Sequence, residues 1–207
     1  LYKQECEEKI ILRNNRLQQQ IEFIIEIDKL KQVYRQSILM DGTRRENDAE
    51  HSWHLALMSI LLEEYSQEKI DLLRVVKMVL IHDLVEIDAG DTYCYEGTPY
   101  KEKLEREKKA ADRLFSILPP DQMEELQALW EEFEKRATPE ARFAAALDRL
   151  QPLLHNYKTK GESWKKHGVT SDKVIERNKS IIEASKTLWD YAETIIKDSI
   201  KKGYLPA

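Results

Sequence analysis

Two cysteines, six glycines and six prolines are all that this 207-residue chain holds of the residues that staple, loosen or break a backbone. Cys6 and Cys94 cannot build a disulfide framework and lack zinc-finger spacing, so an intracellular, cytoplasmic protein is expected. No apolar run approaches the length of a membrane span, and the N-terminal stretch is too polar for a signal peptide. A net charge of −5 leaves no basic surface for a nucleic acid polymer. No strand pattern or internal repeat stands out. What is abundant is Glu, Lys, Leu and Ala, with charged residues at 34% and both signs interspersed as on solvated helix faces. The composition predicts an all-α fold, and the length suits a single domain with a real core.

The segments follow from periodicity and punctuation. Residues 1–16 form a polar extension and residues 201–207 a tail, leaving 17–200 as the domain. Leu17 to Leu39 carries Ile21, Ile24, Ile25, Leu30, Val33 and Ile38 at helical spacing, with a break near Asp28. A turn at Met40–Thr43 precedes a helix capped by Asn47 or Asp48. Asp71 to Gly90 reads as one helix buried on most sides, with Gly90 as its C-terminal cap. The loop beyond it holds Tyr93, Tyr95, Gly97 and Pro99, a candidate wall for a substrate. Charged helices are predicted over Tyr100–Leu118 and Asp121–Arg136. Thr138-Pro139 starts a further helix that Pro152 should end or kink. Loop residues at 160–168 lead to one long last helix opened by Ser171 or Asp172.

Four side chains are out of place in their surroundings. His51, His82, Asp83 and Asp148 each lie in an apolar helical stretch, where a charge or an imidazole is costly unless paired. Two imidazoles and two carboxylates suit Mn, Fe, Co, Ni or Zn, with water completing the shell. Neighbours on a helix point about 100° apart, so His82 and Asp83 reach one ion only if it lies between their directions. His51 and Asp148 would then come from packed neighbouring helices. Taken singly, each His reads more often as a hydrogen-bonded core residue and each Asp as a cap or salt-bridge partner.

The order His51, His82-Asp83, Asp148 resembles the signature of the HD-domain phosphohydrolases. The stretches Glu46–Ser52, Ile81–Glu86 with Gly90-Asp91, and Ala146–Leu150 resemble the three motifs of the small 5'-deoxynucleotidase branch. That resemblance implies an HD-domain helical bundle and one divalent metal (Mn, Co, Fe, Ni, Zn or Mg) on His51, His82, Asp83 and Asp148. It implies a homodimer and hydrolysis of (deoxy)nucleoside 5'-monophosphates by a water activated at the metal. Glu86, one turn beyond His82, would hold or deprotonate that water, and Asp91 would assist the leaving group or contact the sugar. Arg35, Arg44, Arg45 and Lys158 are candidate phosphate contacts. The family's Arg-Trp pair is met here by Arg35-Gln36, which leaves ribose against deoxyribose open. His54 is expected in the core or behind the ligands, and His155 and His167 at solvent or neighbouring loops. The other readings are an HD hydrolase of another small phosphate ester or nucleotide, and a non-catalytic, metal-stabilised helical dimer.

Overall fold

Helix α7 (Pro139–Lys158) is the post around which the other elements stand. Thr138 caps it by accepting from the Ala141 N–H at 3.2 Å, and Pro139 pre-sets the first turn. Phe143, Ala144, Leu147, Leu150 and Leu153 are buried along it. Packed on it are α2 (Asp48–Leu62), α3 (Leu72–Ile81), α6 (Pro120–Lys135), α9 (Ser171–Asn178) and α10 (Lys186–Lys201). The remaining helices are α1 (Tyr2–Ile27), α4 (Glu86–Ala89), α5 (Tyr100–Phe115) and α8 (Glu162–Lys166). This computed structural model describes the backbone of residues 2–95 and 100–206 and the side chains of 15–95 and 101–206. Gly97 and Pro99 of the expected substrate loop lie outside the described residues. No helix among the described residues is long and apolar enough to cross a membrane.

The helical expectation holds, with four local corrections. First, the helix from residue 17 ends at Ile27. A 3-10 turn begins at Asp28, where a break was expected, but the chain then forms strand β1 (Tyr34–Ile38) rather than more helix. It pairs antiparallel with β2 (Arg45–Asn47). The Arg45 guanidinium donates to the carbonyls of Tyr34 and Arg35, which ties the two strands together. Tyr34 to Ile38 is too short and polar to show a strand period, with only Ser37 buried. Gly42, at φ +77°, supplies the left-handed turn between them.

Second, the stretch 71–90 is not one helix. Backbone bonds of the i to i+3 kind, Leu84 N–H to Ile81 O at 3.0 Å and Glu86 N–H to Asp83 O at 2.9 Å, tighten the chain over 82–85. Third, α7 runs on through Pro152 to Lys158. That continuation carries His155 into the interior, contrary to the expected surface position: the ring is 3% exposed and Nδ1–H donates to the Ile38 carbonyl at 2.9 Å. Fourth, the last helix is two. α9 gives way to a 3-10 turn over Lys179–Glu183, and Ser185 then caps α10 by accepting from the Leu188 N–H at 3.1 Å. Between α7 and α9, the expected loop holds α8 and buries Trp164.

Residues 204–206, beyond the expected domain boundary, are built into the body. Leu205 is buried, and the Pro206 carbonyl accepts from the Ser171 N–H at 2.8 Å. Gly161, at φ +73°, lets the Tyr204 carbonyl pass so closely that a Cβ there would sit 1.9 Å from its oxygen.

Candidate metal centre and its cavity

The Asn47 side chain caps α2 by accepting from the Glu50 N–H at 2.9 Å, and Glu50 accepts back from the Asn47 N–H at 3.2 Å. One turn in, this helix presents His51, fully buried. His82 sits at the end of α3. Its Nδ1–H donates to the Val79 carbonyl at 2.9 Å, which points Nε2 inward, where a bound cation would take the place of a proton. The tightened turn after α3 swings Asp83 beside it, and α7 supplies Asp148 from the opposite side.

The four side chains converge. His51 Nε2 is 3.1 Å from Asp148 Oδ1 and 3.9 Å from Asp83 Oδ2. His82 Nε2 is 3.2 Å from Asp83 Oδ2 and 3.8 Å from Asp148 Oδ1. Ligand atoms held at metal bonds of about 2.1 Å lie about 3.0–3.4 Å apart along a coordination edge, so this set needs only small adjustment to grip one ion. His82 Nε2 is buried with no hydrogen-bond partner, an orphan that a cation would satisfy. Two neutral imidazoles with two carboxylates form a borderline donor set, so the residues fit a divalent transition metal.

The electrostatics are those of a site built for positive charge. Burial alone would raise the Asp83 carboxyl, but His82 and Arg35 overcome it and hold Asp83 well below the usual carboxylate range. Asp148 is likewise held low against burial by His51 and His82. Burial lowers His82, yet the same two aspartates lift it to about 10. Burial, helped by Arg35, takes His51 down to about 4. Arg35 is the cation in place: Nη1 donates to Asp83 Oδ2 at 2.6 Å and to Asp48 Oδ1 at 3.1 Å.

A cavity of about 370 Å³ opens on this cluster. His82, Asp83 and Asp148 line its floor, together with Arg35, Glu86 and Asp91. Burial, then the charges of Asp83 and Asp48, push Glu86 well above its ordinary value, and burial raises Asp91. Gly90, at φ +73°, ends α4 with its N–H on the Glu86 carbonyl at 2.8 Å and so turns Asp91 toward the cavity. Tyr93 and Tyr95 line it too, edge to face at a 5.4 Å centroid distance. His167 packs against Tyr93 with the rings tilted, centroids 4.4 Å apart.

The other expected phosphate contacts stand apart. Arg44 pairs with Glu50, Nη1 to Oε2 at 2.9 Å, Arg45 bonds the hairpin backbone, and Lys158 is exposed at the end of α7. None of the three lines the cavity. Three residues were missed by sequence reasoning. Asp48 is fully buried, and its carboxylate lies within 4.8 Å of those of Asp83 and Glu86. Burial and the Asp83 charge push it to about 7. Its place at the start of a helix made it read only as a cap. Glu46 and Gln151 form a buried relay: the Gln151 amide donates to Glu46 Oε1 at 2.6 Å and to His155 Nε2 at 3.0 Å. Glu46 Oε2 in turn faces His51 Nδ1 at 3.9 Å. His54, half-buried, joins this relay through Nδ1, 3.3 Å from the Gln151 amide nitrogen.

Comparison with known proteins places this geometry. A human protein named 5'-deoxynucleotidase HDDC2 is 30% identical over 135 residues, 65% of each chain, and its frog counterpart from Xenopus laevis is also 30% identical. This chain therefore spans just under two thirds of the length of those curated relatives. A Magnetospirillum magnetotacticum structure described as a predicted metal-dependent phosphohydrolase is 54% identical, with a TM-score of 0.90 over 93% of this chain and 97% of that one. The Pyrococcus horikoshii protein PH0347 shares the fold, with a TM-score of 0.61 at 22% identity over 88% of this chain and 99% of that one. The HD domain family matches residues 27–189, a span that holds all four converging ligands. The chain belongs to the HD-domain family.

Proposed function

We propose that this protein hydrolyses (deoxy)nucleoside 5'-monophosphates to nucleoside and phosphate, using one divalent metal held by His51, His82, Asp83 and Asp148. The observation that carries this reading is the convergence of those four donor atoms, with a buried, orphaned His82 Nε2, on the floor of a nucleotide-sized cavity. The two relatives named for 5'-deoxynucleotidase activity support the choice of ester. Bound there, a divalent ion supplies a Lewis acid and an activated water for attack on phosphorus.

The chain's own residues do the rest. Val79 fixes the His82 tautomer through Nδ1–H, and Glu46 stands where it can take the Nδ1–H of His51. Arg35 balances Asp83 and Asp48 and turns its remaining N–H groups toward the phosphoryl oxygens. Glu86, beside the ligands, takes the proton of the attacking water. Asp91, whose half-buried carboxyl is raised, gives a proton to the departing 5'-oxygen. Tyr93 and Tyr95 wall off the nucleoside. The active species is a homodimer joined along exposed apolar side chains of α2, Trp53, Leu57, Ile60 and Leu61, which recur on one helix face.

Phosphate release from dAMP, dGMP, dCMP, dTMP and AMP, measured with Mn or Co, tests the reading. Release from the deoxy substrates is expected, lost on chelation and restored by added metal. Asp83→Ala is expected to lower kcat by at least about 10³-fold while the helical circular dichroism spectrum is kept. No release from any monophosphate sinks the proposal, and so does full turnover by Asp83→Ala.

A further inference from the structure

The cavity holds cations that the reaction at its floor does not use, among carboxylates that include Glu134 beside Arg136. Arg35 is paired with Asp83 and Asp48, and Lys103 with Glu107 at 3.2 Å. Arg136, Arg149 and Arg177 line the same cavity and make no ion pair among the described residues. They come from three different elements: the end of α6, the middle of α7 and the end of α9. Local sequence therefore does not force them together. Arg149 Nη1 donates to the Arg177 carbonyl at 2.7 Å, which holds the two segments side by side. Burial first, then the charges of Arg136 and Arg177, lowers the Arg149 guanidinium to about 10 against the pull of Asp148 and Glu183. Arg149 and Arg177 are half-buried, unlike solvated surface arginines, whereas Arg136 is exposed at their flank. Like charges gathered in such a place are unfavourable until an anion joins them.

Their position is equally specific. Arg149 and Arg177, with Cys94 and Tyr95, line both the cavity and a wide depression that adjoins it. His82, Asp83 and Asp148 line only the inner cavity. The arginines thus stand at the outer end, with the metal ligands at the inner one. Asn156, 7% exposed, also lines the cavity, and its buried Oδ1 has no hydrogen-bond partner, so it awaits a donor from a bound molecule.

We propose that Arg149 and Arg177, flanked by Arg136, form a second anion site, and that the preferred substrate carries a second phosphoryl group remote from the ester that is cleaved. The inference rests on the phosphomonoesterase reading and sharpens its substrate class. A phosphoryl dianion suits the site because guanidinium forks match its oxygens in pairs.

Deoxyadenosine 3',5'-bisphosphate and dAMP, compared in steady-state phosphate release from the 5' position, test it. The wild type is expected to favour the bisphosphate in kcat/KM by at least about tenfold, the effect of one or two charged hydrogen bonds. Arg177→Gln, and separately Arg136→Gln, should collapse that preference ratio through KM. A ratio near one in the wild type, or a ratio unmoved in both variants, overturns the proposal. Calorimetric binding of the bisphosphate to Asp83→Ala protein separates this inference from the activity on which it rests. Binding that weakens about tenfold on adding Arg177→Gln supports the site even if no monophosphate is hydrolysed, and binding indifferent to Arg177 overturns it.

Discussion

At the scale of single residues, the chain spends its buried polar groups on two connected tasks. One is the ligand quartet; the other is the Glu46–Gln151–His155 relay behind it. His155 must stay neutral to accept from Gln151 while donating to Ile38. Burial, reinforced by the neighbouring His54 and Arg35, lowers it to about 4 from an ordinary 6.5. Glu46, His54 and Gln151 face it from the adjoining elements. The unfolded chain therefore binds more protons between those values, so this residue's contribution is whole above pH 6.5 and is lost as pH falls toward 4. Against His155→Gln, the wild type should lose stability on acidification through that window, by at most about 1.4 kcal/mol per pH unit. Urea unfolding of both proteins at pH 7, 5.5 and 4.5 reads the difference, and a constant gap contradicts it. Each member of the quartet was legible as a polar residue in an apolar run, and the resemblance to the HD-domain motifs joined the four. The relay was not, because Glu46 sits among charged residues and His155 follows a proline expected to end or kink its helix.

At the scale of elements, capping chemistry was readable and backbone departures were not. Thr138-Pro139 and Asn47 start helices where their side chains allow it. Asn47→Ala removes the side-chain half of the reciprocal cap on α2, leaving the backbone N–H of residue 47 on Glu50, and should destabilise the protein by about 1 kcal/mol in chemical denaturation. It should also raise KM for the metal, since His51 lies on the first turns of that helix. The tightened turn at 82–85 left no mark in an apolar run, because its cause is the demand that His82 and Asp83 face one point. The hairpin was hidden for a different reason: strands of five and three residues carry too few alternations to show a period. A single residue at the α7–α8 junction is critical. Gly161→Ala places a methyl against the Tyr204 backbone at a positive φ, and a loss of about 3 kcal/mol or more is expected in thermal or urea unfolding. A neutral result would mean that this close approach does not exist in solution.

At the scale of the whole molecule, the apolar surface asks for a partner. Trp53, Leu57, Ile60 and Leu61 recur along one exposed face of α2, and Leu17, Ile21, Ile24 and Ile25 along one face of α1. The helical spacing of Ile21, Ile24 and Ile25 is visible in the sequence, but periodicity does not say what a stripe faces. Leu57→Glu with Leu61→Glu is expected to shift the protein from dimer to monomer in light scattering after size exclusion, with the helical spectrum unchanged. A wild type that is already monomeric at micromolar concentration would remove the dimer from the proposed function.

The stretch 204–206 has a mechanical meaning. Its carbonyls reach Ser171 and crowd Gly161, so it closes the ends of the very segment that carries Trp164 and leads into Arg177. The outer rim of the cavity is thus clasped by residues far along the chain, whereas the floor rests on α7. Removing 204–207 should leave amide exchange in α3 and α7 slow while speeding it across 161–178, so that grip on the distal end of a ligand slackens before the chemistry at the proximal end does.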